Sequence, residues 1–150
     1  MKYKVEVMIG RPREEMLVLF QDMAFMKKWQ PGFQTLEVLE GNPGEVGSKS
    51  RLTYLSKGKP SEIIETIVSK DLPDRFDFLY EAKGVKNWAR NRFIDQGDEV
   101  LWIAEHEFRF SGVMKVMGLL KGMFVKQTTK DMYAFKKFAE MESKSERSPV

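Results

Sequence analysis

The apolar residues of this chain change their period once, late in the sequence. From Tyr3 to Phe110 they come in short runs that alternate with polar residues. From Val113 to about Met141 they recur at three- and four-residue spacings, as Met117, Leu120, Phe124, Met132, Phe135 and Phe138. A period of two marks a strand with one buried face, and a period near 3.6 marks a helix with an apolar stripe. The chain is therefore expected to build a sheet first and one long helix last, and each must bury its apolar face against the other. Turn residues punctuate the strand-like region: Gly41-Asn42-Pro43-Gly44, Lys57-Gly58-Lys59-Pro60, Pro73, Gly84 and Gln96-Gly97-Asp98. Connections this short join antiparallel neighbours, because a parallel crossover needs about a dozen residues or more.

The first strand puts Tyr3, Val5, Val7 and Ile9 on one face and stops at Gly10 and Pro12. Pro12 suits a first helical turn, and Glu14 and Glu15 suit the positive end of a helix dipole. Asp22 can cap a second short helix running to about Lys28, which meets the turn Trp29-Gln30-Pro31-Gly32. The expected order is one strand, two short helices, six strands and one long helix. This is an α+β fold: a curved antiparallel seven-stranded sheet around a long C-terminal helix, with the two short helices after strand 1. A sheet of that width exceeds what one helix can cover, so it must curl or leave a hollow.

Alternation assigns the inner faces. Val100, Trp102, Ala104, His106, Phe108 and Phe110 share one face of the last strand, and Asn87, Ala89, Asn91 and Phe93 share one face of the strand before it. Phe76, Phe78 and Tyr80 are expected inside, as are Leu52 with Tyr54, and Ile64, Thr66 and Val68. With 150 residues, 42% hydrophobic and 31% charged, the chain has the composition of one ordinary folded domain. Residues 1–142 are expected to form it, with 143–150 as a flexible polar tail. A net charge of +3, spread along the chain, is no nucleic-acid signature. No apolar run approaches a membrane span, and no signal-like apolar block opens the chain, so a cytoplasmic location is expected. Without cysteine and with a single histidine, the sequence offers no metal-ligand set and implies no cofactor.

These phrases carry a family likeness. Pro12 opens the first helix, Asp22 precedes the second, and Trp29-Gln30-Pro31-Gly32 leads into Leu36-Glu37-Val38-Leu39-Glu40. Gly44 to Gly47 forms a turn, and Leu72-Pro73-Asp74-Arg75-Phe76 enters a strand. From about Lys4 to Ala139 the chain resembles the START and birch-pollen-allergen superfamily, often called SRPBCC, and within it the polyketide cyclase-like branch. The resemblance implies a helix-grip fold with a deep apolar cavity between sheet and helix. Members bind lipids, hormones or polyketides, and some are cyclases. The matching phrases carry fold information and no catalytic content.

The expected partner is a small hydrophobic molecule, lipid- or polyketide-like, with no nucleic acid and no transmembrane segment. The candidate lining comprises Trp29 and Phe33 near the short helices, Tyr54, Phe78, Tyr80, Asn87, Asn91, Trp102, His106 and Phe108 on the strands, and Met117, Leu120, Phe124 and Thr128 on the long helix. Such a set, apolar with a few polar groups, is the usual make-up of a small-molecule site. No residue forms a recognised catalytic set. His106 is the candidate acid or base for the alternative reading, a cyclase- or dehydratase-like enzyme, because an imidazole titrates near neutrality. It equally suits a structural bond to Asn91 or a tyrosine. Asp131 suits either a buried base or an ion pair at the rim. A third reading is a protein-interaction module using Trp88 among Arg90 and Arg92, with the chain a monomer or weak homodimer. Val113 to Phe124 suits a cavity lid, or transient contact with a membrane surface through its methionines, leucines and lysines.

Overall fold

The computed structural model describes residues 1–146, with side chains through residue 142. The chain runs β1 (Lys2–Ile9), α1 (Arg13–Gln21), a 3-10 turn (Met23–Phe25), α2 (Met26–Trp29), β2 (Phe33–Glu40), β3 (Lys49–Ser56), β4 (Lys59–Asp71), β5 (Arg75–Ala82), β6 (Val85–Asp95), β7 (Val100–Phe110), a 3-10 segment (Gly112–Leu119) and α3 (Lys121–Glu146). The seven strands form one antiparallel sheet in the order β1-β7-β6-β5-β4-β3-β2. Consecutive strands from β2 to β7 are neighbours, as short hairpin turns require. β1 pairs with β7, Ile9 facing Val100 and Val5 facing Ala104. The α1–α2 segment then carries the chain from that edge of the sheet to the other.

The alternation of the first strand is obeyed: Val5, Val7 and Ile9 are buried. Asp22 caps the 3-10 turn by accepting a hydrogen bond from the Ala24 amide at 2.9 Å. The β3–β4 hairpin turns on Lys57 and Gly58, both in the left-handed region at φ 52° and 76°. A two-residue turn of that hand matches the twist of the strands and leaves no freedom in register. Leu52 therefore faces Ile63, and Tyr54 faces Ser61.

That register corrects one expectation. Ile64, Thr66 and Val68 do not form the inner face of β4. Leu52 is fully buried, so its partner Ile63, and with it Glu65 and Ile67, lie on the inner side; Ile67 is buried while Val68 is exposed. The sequence Ile63-Ile64-Glu65-Thr66-Ile67-Val68 has apolar residues on both faces, so alternation alone does not choose between them. The hairpin register decides instead, because a one-residue slip would turn every side chain of the strand over.

The core lies between the sheet and α3. Met132, Phe135, Phe138 and Ala139 of the helix are buried against Val5, Val7, Phe93, Val100 and Trp102. Phe135 is fully buried and meets Trp29, Trp102 and Phe20 edge-on, with ring centroids at 5.0, 5.5 and 5.7 Å. The final helix is not continuous from Val113, as the spacing suggested. It breaks at Leu120 (φ −105°, ψ 36°) into the 3-10 segment and α3. Gly118 and Gly122 flank the break, and each glycine in a helix interior costs about 1 kcal/mol relative to alanine. Of the tail expected at 143–150, residues 143–146 belong to α3 and 147–150 lie outside the described residues. No helix among the described residues is long and apolar enough to cross a membrane.

Among the described residues two charged side chains, Arg11 and Asp77, are built into the interior. Arg11, 1% exposed, donates to Glu15 Oε1 at 3.0 Å and to the Ala139 carbonyl of α3 at 3.4 Å. It ties the start of α1 to the distal part of the long helix. Arg11→Ala is expected to lower stability by about 2 kcal/mol, the scale of a lost charge-assisted hydrogen bond plus the packing of its stem. Urea unfolding followed by circular dichroism measures this; a loss below about 0.5 kcal/mol would mean the contact is cosmetic.

Candidate functional site

A hollow of about 150 Å³ lies between the α1–α2 segment and the inner face of β2 to β5. Its helical wall includes Phe20, Met26 and Trp29, and its sheet wall Leu36, Ile67, Phe76, Phe78 and Tyr80; Gln30, Ser48, Ser50 and Lys70 contribute polar groups. The aromatic wall follows from period two. Phe76, Phe78 and Tyr80 are alternate residues of β5, so their rings stack in file, with centroids 4.5 and 5.7 Å apart.

The Glu65 carboxyl enters the sheet side of this wall. Glu65 of β4 faces Tyr80 of β5 in the ladder, which brings the carboxyl and the phenol within each other's influence. Burial pushes the Glu65 carboxyl up to about 7, against the Tyr80 hydroxyl, which favours its ionised form. Burial, and then the charge of Glu65, hold the Tyr80 and Tyr54 hydroxyls protonated well above the usual tyrosine value. Tyr54 donates to Gln30 Oε1 at 2.5 Å, joining β3 to the end of α2. Trp29 also lines the hollow; its indole Nε1 is buried within the wall and has no hydrogen-bond partner among the described residues. Glu65 escaped the sequence reading. The signal was present in the Lys57-Gly58 turn, from which the register can be counted to place Glu65 beside Tyr80.

The residues singled out from sequence divide into separate groups. Trp29, Phe78 and Tyr80 line the hollow. Phe33 and Tyr54 pack beside it with Met26, Leu36 and Leu52. Asn91 and Trp102 lie in the core, where the indole Nε1 donates to Asn91 Oδ1 at 2.9 Å and the Asn91 amide donates to the Phe76 carbonyl at 3.1 Å. These bonds account for an inward asparagine on β6, since buried polar groups need partners.

His106, Asn87, Phe108, Phe124 and Thr128 form a cluster of their own around Tyr3. The Tyr3 ring stacks on His106 at 5.3 Å and on Phe108 at 6.0 Å, and its hydroxyl lies 2.7 Å from Thr128 Oγ1. His106 Nδ1 is hydrogen-bonded to the Asn87 side-chain amide at 3.2–3.3 Å. The histidine's partner is thus Asn87, not Asn91. Burial lowers the His106 pKa to about 4, so the ring is neutral at pH 7. Tyr3 shares one face of β1 with Val5, Val7 and Ile9, and its stacking on His106 follows from the pairing of β1 with β7, which alternation alone does not specify. Asp131 of α3 is half-buried and accepts from Gln127 at 2.9 Å; burial raises its carboxyl above the usual value.

Met117 and Leu120 belong to the 3-10 segment and the break after it, away from the hollow. Trp88 lies on the outer face, but the cation over its ring is Arg109 of β7, at 4.9 Å. Arg90 instead pairs with Glu107 at 3.3 Å. Among the described residues no group of three or more histidine, cysteine, aspartate or glutamate side chains is arranged to hold a metal ion.

No family model matches the chain, and no curated protein matches it in sequence. Solved structures do match in shape. The Zhui aromatase/cyclase from Streptomyces sp. R1128 superposes with a TM-score of 0.79 over 99% of each chain, at 12% identity. Ara h 8.0201 gives 0.77 over 94% of this chain and 98% of its own, at 16% identity. A START superfamily protein from Mycobacterium smegmatis gives 0.77 over 93% and 97%, at 13% identity. The chain has the helix-grip fold. Identities this low establish the architecture, and the site has to be argued from its own residues. A helix-grip sheet closes on its long helix through the core around Phe135, which leaves the α1–α2 side as the place where a hollow survives.

Proposed function

We propose that the protein binds a small, mainly apolar molecule in the hollow beside α1 and α2, with Glu65 and the Trp29 Nε1 as its polar anchors. The observation that carries this reading is the buried Trp29 donor, unpartnered among the described residues, beside a hollow rich in aromatic side chains; a small turn of the indole would present it to a ligand. Leaving such a group unpaired costs about 1–3 kcal/mol, and a ligand acceptor would recover it. Size narrows the class. A cavity of about 150 Å³ lined by apolar side chains takes up benzene, so the ligand is of about one aromatic ring, bearing an acceptor for Trp29 and a hydroxyl or amine for Glu65. A lipid or multi-ring polyketide would require α1 and α2 to move aside. The fold shared with an aromatase/cyclase and with START proteins is consistent with an internal cavity as the working part.

The experiment is a thermal-shift and calorimetric screen of monocyclic phenols, aryl amines and short aliphatic alcohols, followed by native mass spectrometry. A binder is expected to raise Tm and to lose affinity about tenfold in Trp29→Phe and in Glu65→Gln, the scale of one hydrogen bond. Trp29→Phe removes no hydrogen bond from the free protein, so its effect should appear in affinity far more than in stability. A panel without a single binder, or binders indifferent to both substitutions, would overturn the reading.

A cyclase- or dehydratase-like reaction centred on His106 finds less support. The ring is neutral at pH 7, bonded to Asn87 and packed on Tyr3, and it is not part of the hollow's wall. Glu65, with a carboxyl near 7, is the better-placed group for moving a proton.

A further inference from the structure

The Gly112–Leu119 segment turns its apolar residues outward in an ordered way. In a 3-10 helix residues three apart eclipse one another. Val113, Val116 and Leu119 therefore form a single ridge, and they are 89%, 65% and 87% exposed. The neighbouring register points to the protein body: Met114 packs so closely on Gly84 that an added Cβ there would lie 2.7 Å from Met114 Cγ. Leu120 and Met123 prolong the exposed apolar surface across the break into α3. The fold gives these side chains nothing to pack on, and a contiguous exposed apolar ridge marks a contact surface.

The charge around the ridge has one sign. From Phe108 to Lys130 the sequence holds no aspartate or glutamate, while Arg109, Lys115, Lys121, Lys126 and Lys130 are all cationic. Lys2, Arg109, Lys115 and Lys121 line an open groove next to the ridge. Arg109 shares Glu107 of its own strand at 3.3 Å, so the lysines carry most of the attraction. Aliphatic side chains flanked by lysines, with no aromatic anchor among the exposed residues, suit insertion at a lipid interface better than a protein contact, whose core is enriched in aromatics.

We propose that this ridge and its lysines dock the protein on an anionic lipid bilayer, the aliphatic side chains entering the interface and the lysines meeting lipid phosphates. This is independent of what the hollow binds. Co-sedimentation tests it with vesicles of phosphatidylcholine alone and of phosphatidylcholine mixed with phosphatidylserine. Binding is expected only to the anionic vesicles, and it should weaken as salt is raised, because exposed charges are screened. Two double variants, V113S/L119S and K115E/K121E, should each reduce the bound fraction at least tenfold, each lysine near such a surface contributing about fivefold. V46S, another exposed valine remote in sequence, should bind as the parent does. All these positions are exposed, so circular dichroism should show unaltered folding. In L119W the added indole should shift its emission to the blue on anionic vesicles and be quenched by brominated lipid. Three results would each overturn the proposal: no binding, binding with an unshifted L119W, or a change of solution mass in V113S/L119S without vesicle binding. The last would assign the ridge to a second copy of the chain.

Discussion

Phe135→Ala is expected to lower the unfolding free energy by about 3–5 kcal/mol, the range for deleting a buried phenylalanine ring. The ring is fully buried on α3 and touches Phe20 of α1, Trp29 of α2 and Trp102 of β7. It joins α3 to α1, α2 and β7 at one point, so its removal leaves a space bordered by several elements. Large rigid indoles on two sides cannot relax into the gap as a leucine or methionine would, which places the cost toward the upper end. Urea titration gives the number, and an unchanged m-value would show that the loss is in packing and not in the compactness of the unfolded chain. Because Trp29 also lines the hollow, the same substitution should widen the space available there. Ligands one or two methylenes longer than those favoured by the parent should gain affinity. A loss below about 1.5 kcal/mol with no change in ligand size would mean that the sheet and α3 close independently of this contact.

Strand faces were legible in the sequence wherever one face was apolar and the other charged. β5 begins and ends where its turn residues placed it, and the alternation of Phe76, Phe78 and Tyr80 against Asp77 and Glu81 left one orientation. β4 was illegible by that rule, since Ile63, Ile64, Ile67 and Val68 occupy both faces. What fixed it was the geometry of the Lys57-Gly58 turn. The break at Leu120 was also written in the sequence, in Gly118 and Gly122, yet the three-residue spacing of Val113, Val116 and Leu119 fits a 3-10 ridge as well as a helix stripe. The position of the hollow was not legible. Alternation says which side chains point inward, but it does not say which inward space the long helix fills. α3 fills the half over β1, β6 and β7, around Trp102 through Met132, Phe135 and Phe138, and beside Tyr3 and His106 through Phe124 and Thr128. The half over β3 to β5 is left to the short helices, and these are too short to close it.

Glu65 and His106 give the stability of this protein two opposed dependences on pH. For His106 the folded value is about 4 against an ordinary 6.5. Between those values the unfolded chain binds the extra proton, so this contribution is complete above pH 6.5 and is lost as pH falls toward 4. For Glu65 the folded value is about 7 against an ordinary 4.5. Here the folded chain keeps the proton longer, so its contribution is complete below pH 4.5 and is lost as pH rises toward 7. Each amounts to about 1–3 kcal/mol, with the upper figure for a group sealed from solvent. Between pH 4.5 and 6.5 the two slopes oppose each other, and the parent's stability is expected to be flat there relative to either variant. Glu65→Gln removes the falling limb, so its stability should rise with pH from about 4 to 6.5, by up to about 1.4 kcal/mol per unit. His106→Phe keeps a ring on Tyr3 and Phe108 and leaves the Asn87 amide its carbonyl partners at Trp88 and Glu107. Its stability should fall as pH rises from 4.5 to 7. The remaining carboxylates contribute equally to parent and variants and cancel in the differences. Urea midpoints taken across that window decide the matter. Parallel profiles for the parent and both variants would mean that neither group is held away from water, and with that the anchor assigned to Glu65 would lose its physical basis.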